Sequence, residues 1–224
     1  MTLSNQTDVS EYFRNVRAEI EPLLPEAPAR ILEVGCGIGG TLNWLKQLWP
    51  DAETVGVDGF EAVHSELSKH VDVALIHDLD KPLPNLGKFD LILALDILEH
   101  LRDPDLAFRG LSEMMVPDGV IIVSVPNIAH HSALVPLLLK RQFRYTDQGI
   151  LDRTHIRFFT EENILQLVSQ AGLASVAGLM TGFSPKSMLL NRLTLGVLRH
   201  NLAWQYIVRV ERGPPCTFNW QIVG

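Results

Sequence analysis

The stretch ILEVGCGIGG, from Ile31 to Gly40, joins a short apolar segment to a cluster of four glycines. The apolar run over residues 30–34 predicts a strand, and the spacing of apolar side chains over residues 41–49 predicts a helix directly after the glycines. Glycine adopts backbone angles that other residues avoid, and it lets the main chain approach a ligand closely. The stretch therefore predicts a ligand-binding turn at the carboxyl end of a strand, where open α/β sheets bind their ligands.

Segments with strand and helix patterns alternate along most of the chain. The predicted strands are residues 30–34, 53–57, 71–76, 89–95, 119–125, 173–180 and 205–211. The predicted helices are residues 9–24, 41–49, 60–69, 104–115, 161–171 and 187–200. The fourth strand is almost wholly apolar, as expected of a central parallel strand that is covered on both faces. This alternation indicates a doubly wound parallel sheet.

The 224 residues, 46% of them hydrophobic, suit one large domain with a substantial core. Within it we expect a helical N-terminal cover over residues 1–28 and a substrate-side insertion over residues 126–159. Residues 181–224 are expected to form a C-terminal helix and the last strand, with an irregular tail from residue 212. The helix near residues 189–198 is apolar, and we expect it to be buried under the sheet.

Composition excludes several classes of protein. A formal net charge of −7 argues against a general nucleic-acid binder, which needs a positive surface. No segment reaches the roughly 18 to 20 uninterrupted apolar residues of a membrane span. The polar N-terminus lacks the apolar core of a signal peptide. Cys36 and Cys216 form no disulfide framework. We therefore expect a reduced, cytoplasmic setting.

The glycine turn alone leaves two cofactors open. Gly35, Gly37 and Gly40 satisfy the G-x-G-x-x-G pattern, and Asp58 ends the second strand, where it can bind ribose hydroxyls. That combination is also the fingerprint of dinucleotide-binding enzymes. A nicotinamide-dependent oxidoreductase is therefore an alternative at this point.

Acidic residues at further strand ends favour methyl transfer over hydride transfer. Glu33 lies two residues before the first glycine, where a carboxylate can organise the loop and the methionine end of a cofactor. Asp78 follows the third strand and can accept a hydrogen bond from an adenine amino group. Asp96 begins the segment Asp-Ile-Leu-Glu-His after the fourth strand. An acid at each strand end suits a cationic cofactor that has no pyrophosphate.

The segment from Ile31 to Gly40 resembles motif I of the class I S-adenosylmethionine-dependent methyltransferases. The acids after the next three strands fall where that family has its ribose, adenine and post-fourth-strand motifs. The resemblance implies an α/β, Rossmann-like, doubly wound sheet of seven strands, mostly parallel with an antiparallel last strand. With Glu33, it implies S-adenosyl-L-methionine as cofactor, bound by Gly35, Cys36, Gly37, Asp58, Gly59, Asp78, Leu79 and Asp96.

A narrower resemblance lies further along the chain. Residues 125–127 and 149–160 resemble a bacterial subgroup of these enzymes that often accompanies glycosyltransferases in cell-surface polysaccharide pathways. Residues 12–17 resemble the N-terminal helix of that subgroup. This implies O-methylation of a small hydroxylated acceptor, such as a sugar or glycan precursor, and a homodimer is compatible with the sequence.

Glu99, His100 and His155 are the predicted catalytic residues. On a helical turn, Asp96, Glu99 and His100 would share one face, and His155 arrives from the long connection. The set is similar to that of metal-dependent small-RNA 2′-O-methyltransferases, and quinone-pathway O-methyltransferases carry a related segment. This implies a divalent metal such as Mg²⁺ on Glu99, His100 and His155. A metal-free base and a purely structural role are the alternatives.

Two further functions stay open on the sequence. One is metal-assisted 2′-O-methylation of RNA or methylation of a catechol, and the other is a non-catalytic nucleotide-binding module. Between Lys140 and Arg157, five basic residues stand against two acidic ones. This cluster either holds the phosphate of a nucleotide-sugar or lipid-linked saccharide, or is a solvated loop. His130 and His131 are interpreted as part of a loop and not as ligands.

Overall fold

The structure, a computed structural model, describes residues 16–214 and 216–223. Eight strands form one sheet in the order β3-β2-β1-β4-β5-β7-β6-β8. The strands are β1 (Arg30–Val34), β2 (Glu53–Asp58), β3 (Val73–Ile76), β4 (Phe89–Leu95), β5 (Met115–Pro126), β6 (Leu173–Thr181), β7 (Gln205–Arg212) and β8 (Trp220–Ile222). The predicted α/β fold, mostly parallel with an antiparallel β7, is confirmed, and the sheet has one strand more than predicted.

Seven α-helices and three short 3-10 turns accompany the strands in the described ranges. The helices are α1 (Gly40–Leu48), α2 (His64–Leu67), α3 (Pro104–Glu113), α4 (His131–Lys140), α5 (Glu161–Gln170), α6 (Pro185–Leu193) and α7 (Arg199–Leu202). The 3-10 turns are Ala18–Leu23, Glu61–Val63 and Leu98–His100. The helix predicted over residues 9–24 lies partly outside the described residues. Its described part is the first 3-10 turn, which contains Pro22.

The parallel half of the sheet positions the functional site. In β4, the side chains from Leu91 to Ala94 are fully buried, as its apolar sequence predicts. Val34, the last residue of β1, pairs with Val57 of β2 on one side and with Ala94 of β4 on the other. The carboxyl ends of these three strands therefore meet at one edge, and the loops that follow them share one crevice.

Strand β8 was not predicted, because three residues are too short to show a periodic pattern. It pairs in parallel with β6, with Trp220 opposite Gly178. The Trp220 indole nitrogen donates to Glu161 Oε1 at 2.5 Å. The predicted irregular tail is therefore wrong for this segment, which a side-chain contact to α5 helps hold against the sheet edge.

Replacing Gly178 by alanine should loosen β8. An added Cβ would lie 2.5 Å from the Trp220 ring, so the ring must move. We expect unfolding free energy to fall by about 1–3 kcal/mol, the usual cost of overpacking, together with a change in tryptophan fluorescence. Gly110→Ala in α3 is the matched control, because an added Cβ there meets nothing within 4 Å. Equal stability of both variants would contradict this account of β8.

The long connection and the C-terminal helix both differ from expectation. The unassigned residues 126–159 contain α4, whose run of leucines and internal proline conceal any helical period. The helix predicted over residues 187–200 is two helices, because Leu195 and Gly196 adopt positive φ angles between them. The apolar side chains of this segment are largely exposed and not buried under the sheet.

Candidate active site

The glycine turn has the backbone geometry that its sequence predicts. Gly35, Gly37 and Gly39 have φ angles of +71°, +55° and +81°. Such angles strain residues with a side chain. A Cβ on Gly35 would also lie 2.8 Å from the side chain of Ile97, the residue that follows Asp96. Glycine at position 35 thus lets the loop after β1 touch the loop after β4.

Asp58 fastens this turn to the end of β2. Its Oδ2 accepts a hydrogen bond from the backbone N–H of Gly37 at 2.8 Å, and its Oδ1 accepts one from Phe60 at 2.8 Å. The residue is buried, and this burial raises its pKa, opposed by the two N–H donors. Asp58 therefore organises the loop, and each carboxylate oxygen keeps a second lone pair for a ligand.

Arg17 is a site residue that sequence reasoning missed. Its guanidinium pairs with Asp96, and it donates to Glu19 at 2.5 Å and to Gln205 Oε1 at 2.8 Å. The Gln205 amide in turn donates to Asp96. Arg17 thus places a buried cation beside the crevice. The resemblance over residues 12–17 was the available signal, but it assigned Arg17 no role.

Glu33 is buried at the base of the same crevice. Among the described residues, no group hydrogen-bonds to its Oε2. Burial raises the pKa of Glu33 to about 8, although the positive charge of Arg17 lowers it. The Glu33 carboxyl is therefore largely protonated at neutral pH and can donate a hydrogen bond.

The Glu33 carboxyl should make stability depend on pH. Its folded pKa of about 8 lies above the ordinary 4.5. The folded state therefore binds this proton more tightly, and the stabilisation is lost as pH rises from 4.5 through 8. Glu33→Gln, which stays neutral, should lose less stability over that window. Urea unfolding of both proteins across the window measures the difference, and parallel curves would contradict the shift.

The remaining predicted cofactor residues line the same edge. Leu79 and Ile97 both border a cavity of about 480 Å³. Asp78, at the end of β3, is exposed and pairs with Lys81 at 3.1 Å. Its hydrogen bond from Lys81 lowers the pKa of Asp78, so the group is a carboxylate that a ligand can reach.

Burial raises the pKa of the Cys36 thiol, which therefore stays protonated. Gly59, next to Asp58, has room around it.

Three predicted catalytic side chains come together on the other side of Asp96. One ligand atom from each of Glu99, His100 and His155 lies within 4.8 Å of the other two. The two imidazole rings meet edge to face, with centroids 4.8 Å apart. Glu99 is 1% exposed, and nothing in the described part of the chain hydrogen-bonds to its Oε2. Burial raises the pKa of Glu99 well above its ordinary value.

Backbone contacts fix the orientation of this cluster. The N–H groups of Ile156 and Arg157 donate to the carbonyl of Glu99 at 2.9 and 3.0 Å, which joins the long connection to the turn after β4. His155 Nδ1 lies 3.0 Å from the carbonyl of Ile150, and His100 Nδ1 lies 3.3 Å from that of Thr154. A neutral imidazole that donates from Nδ1 has its lone pair on Nε2. Each histidine can therefore present Nε2 as a base or ligand.

Asp96 does not join the cluster, so the expected shared helical face is wrong. The 3-10 turn covers only Leu98–His100, and Asp96 precedes it with a positive φ of 51°. This backbone angle turns its carboxylate toward Arg17 and toward Ser124 Oγ, which donates at 3.0 Å. Asp96 thus joins a polar network with Arg17 and Ser124, and its contact with the cofactor stays a prediction.

His130 lies outside the cluster and begins a helix. Its Nδ1 accepts from the N–H of Ser132 at 3.3 Å, which caps α4. Burial and the neighbouring His131 lower the pKa of His130 to about 4. The pair is therefore part of the structural support of α4.

Comparison with known proteins identifies the family. The sequence profile of a methyltransferase domain matches residues 9–177. A relative named ubiquinone biosynthesis O-methyltransferase, from Ruegeria pomeroyi, is 29% identical over 160 residues, which cover 68% of this chain and 62% of the relative. A relative of the same name from Azorhizobium caulinodans is 32% identical over 120 residues, covering 51% of this chain and 47% of the relative. This chain thus matches about half to three fifths of the length of these relatives.

Solved structures share the fold at low sequence identity. A SAM dependent methyltransferase from Archaeoglobus fulgidus has a TM-score of 0.68 at 17% identity, covering 93% of this chain and 100% of its own. An O-methyltransferase from a Brevibacillus brevis multienzyme, solved with S-adenosyl-L-homocysteine, has a TM-score of 0.56 at 14% identity, covering 84% of this chain and 67% of its own. The match to the methyltransferase domain profile settles the choice that the glycine turn left open, against the nicotinamide alternative. By its profile match and its fold, the chain belongs to the methyltransferase domain family of class I S-adenosylmethionine-dependent enzymes.

Proposed function

We propose that this chain methylates a hydroxyl group of a small acceptor, such as a sugar or glycan precursor, with S-adenosyl-L-methionine as methyl donor. The observation that carries the proposal is the cluster of Glu99, His100 and His155, a buried carboxyl beside two imidazoles with defined tautomers. Glu99 and His100 follow the same strand as Asp96, and His155 joins them from the long connection, so proton-accepting groups lie near Asp96. This arrangement suits O-methylation.

On the cofactor side, the chain supplies a preformed site. The turn from Gly35 to Gly37 offers backbone close to a ligand, and Asp58 holds that turn and can accept from ribose hydroxyls. Leu79 borders apolar space suited to an adenine ring. Arg17 offers a guanidinium that can pair with a carboxylate. When bound by these residues, the cofactor would supply the methyl group for transfer.

On the acceptor side, the histidines are suited to take a proton. Burial and the neighbouring His155 lower the pKa of His100. The imidazole is therefore neutral at physiological pH and has a free lone pair that can accept a proton. As the carbon–oxygen bond forms and the carbon–sulfur bond of the methyl donor breaks, the acceptor hydroxyl proton would pass to Nε2 of His100 or His155. Most of the rate enhancement would come from orientation of the two reactants in the crevice.

The same three residues fit a divalent metal ion. One ligand atom from each of the three side chains lies within 4.8 Å of the other two, and carbonyls close to Nδ1 of each histidine can orient both rings as metal-binding histidines require. Two imidazoles favour a transition metal such as Zn²⁺, whereas Mg²⁺ prefers oxygen. When bound by Glu99, His100 and His155, the ion would lower the pKa of an acceptor hydroxyl.

The metal proposal is tested by calorimetric titration of Mg²⁺, Mn²⁺ and Zn²⁺ into the wild type and into His155→Ala. We expect binding to the wild type that His155→Ala loses and that the control His131→Ala keeps, because His131 lies outside the cluster. Equal titrations of all three proteins would leave the metal-free base as the mechanism.

A catechol is the second candidate acceptor. Relatives that match much of this chain are named ubiquinone biosynthesis O-methyltransferase, and such an acceptor would carry a phenolic hydroxyl. Incubation with methyl-labelled cofactor and a panel of sugars, catechols and RNA distinguishes the candidates. We expect label on a sugar or a catechol. Tight cofactor binding without label on any acceptor would instead indicate the non-catalytic module, and label on RNA would overturn the small-acceptor proposal.

A further inference from the structure

One stretch of the long connection exposes leucines beside positive charges. In α4, Val135, Leu138 and Leu139 share one face at i, i+3 and i+4. Leu138 is 67% exposed and Leu139 is 78% exposed, although both are aliphatic. The chain continues as Lys-Arg-Gln-Phe-Arg-Tyr over residues 140–145, again largely exposed. Residues 135–145 therefore combine exposed leucine, aromatic and basic side chains without any acid.

A second stretch has the same character. Residues 186–199 begin and end with basic residues and contain Arg192. Leu193 is 73% exposed and Leu195 is 92% exposed. Contiguous exposed apolar groups of this kind mark a binding surface more often than an ordinary protein surface.

The segments that flank the two stretches contact each other. Helix α7, which follows the second stretch, contacts the residues just before the first. The Asn201 side chain donates to the carbonyl of Ala129 at 3.0 Å. The Asn127 amide donates to the carbonyls of His200 and Ala203 at 2.7 and 2.8 Å. These contacts hold the segment just before α4 against α7 and the residue that follows it.

The two stretches differ in net charge from the rest of the chain. Of the 19 lysine and arginine residues, six lie in the two stretches, whereas none of the 26 aspartate and glutamate residues does. The chain as a whole has a formal charge of −7. Two positive, leucine-rich stretches on an acidic protein match the chemistry of an anionic lipid surface. Such a surface attracts basic side chains and accepts apolar ones at the headgroup boundary.

We propose that residues 135–145 and 186–199 form a docking surface for an anionic lipid bilayer. No helix in the described ranges has the length and apolar character to cross a bilayer, so the contact is interfacial. A second copy of this chain fits less well, because a two-fold contact would bring identical basic stretches together. The Phe143 ring packs edge-on against Phe158, with centroids 5.6 Å apart. The docking surface thus adjoins the segment that carries His155.

Cosedimentation with vesicles tests this surface. The full chain is mixed with vesicles of equal parts phosphatidylcholine and phosphatidylglycerol, or of phosphatidylcholine alone. We expect binding to the mixed vesicles that salt weakens. The double variant Leu138→Glu/Leu139→Glu should partition roughly tenfold less, because it adds like charge and removes apolar contact. Leu48→Glu, which changes an exposed leucine of α1, is the matched control and should bind as the wild type does.

Three results would overturn the proposal. They are no sedimentation with either vesicle, binding that the double variant leaves unchanged, and a dimer in sedimentation velocity that the double variant converts to a monomer without any vesicle binding. Because Leu138 and Leu139 are exposed, the double variant should melt as the wild type does, which separates lost docking from lost folding. The assay uses neither cofactor nor acceptor, so its result is independent of the proposed methyl transfer.

Discussion

Replacing Glu99 by glutamine is expected to slow methyl transfer by about 10²–10⁴-fold, the range for loss of an acid–base or metal-binding group. Glutamine has nearly the same volume, so the buried position stays filled, but it cannot ionise or release a proton. A carboxylate oxygen of Glu99 lies within 4.8 Å of ligand atoms of His100 and His155, and Glu99 is not among the residues predicted to bind the cofactor. Affinity for S-adenosyl-L-homocysteine should therefore change little.

Two measurements together test the Glu99 prediction. Single-turnover transfer to the acceptor that the labelled panel identifies reports the chemistry, and calorimetry with S-adenosyl-L-homocysteine reports the cofactor site. Glu26→Gln, at an exposed position, controls for the substitution itself. Unchanged turnover in Glu99→Gln would place the cluster outside the chemistry and would leave it a structural role.

Replacing Asp58 by alanine is expected to weaken S-adenosyl-L-homocysteine binding at least about 100-fold, equivalent to about 2.7 kcal/mol. The substitution removes the acceptors for the N–H groups of Gly37 and Phe60, each of which donates at 2.8 Å. Hydrogen bonds to a charged group contribute about 1.5–3 kcal/mol each, so the loss of two should also lower the free energy of unfolding by about 3–6 kcal/mol. The loop after β1 would then lose its fixed shape.

The variant Asp58→Asn separates the loop from the ligand. Asparagine keeps one oxygen acceptor, so Asp58→Asn should regain about half of the unfolding free energy that Asp58→Ala loses. Its affinity for S-adenosyl-L-homocysteine should still be lower than that of the wild type. Asp51→Ala, at an exposed turn, serves as the control. Calorimetry for binding and urea unfolding for stability test both arms. Wild-type affinity in Asp58→Ala would contradict the role of this residue in holding the turn.

Much of the fold could be predicted from local sequence. The apolar run of β4 is buried on both faces, and the glycines after β1 adopt the positive φ angles that favour glycine. Strand β8 and helix α4 were missed, because a three-residue strand and a leucine run broken by proline carry no clear period. The break at Leu195 was also missed, because a single glycine within a helical pattern is usually tolerated.

The candidate site also has features that the local sequence predicted and features that it did not. The acids at successive strand ends were visible in the sequence, because parallel strands bring their carboxyl ends to one edge whatever their loops contain. That Asp96 pairs with Arg17 and stays outside the short helical turn depends on one positive φ angle, and this pair joins residues 79 positions apart. Such contacts follow from packing and not from local pattern. The sequence thus determined which acidic groups follow the strands, whereas the tertiary structure decided which side chains touch, because contact between distant residues is fixed only when the chain closes on itself.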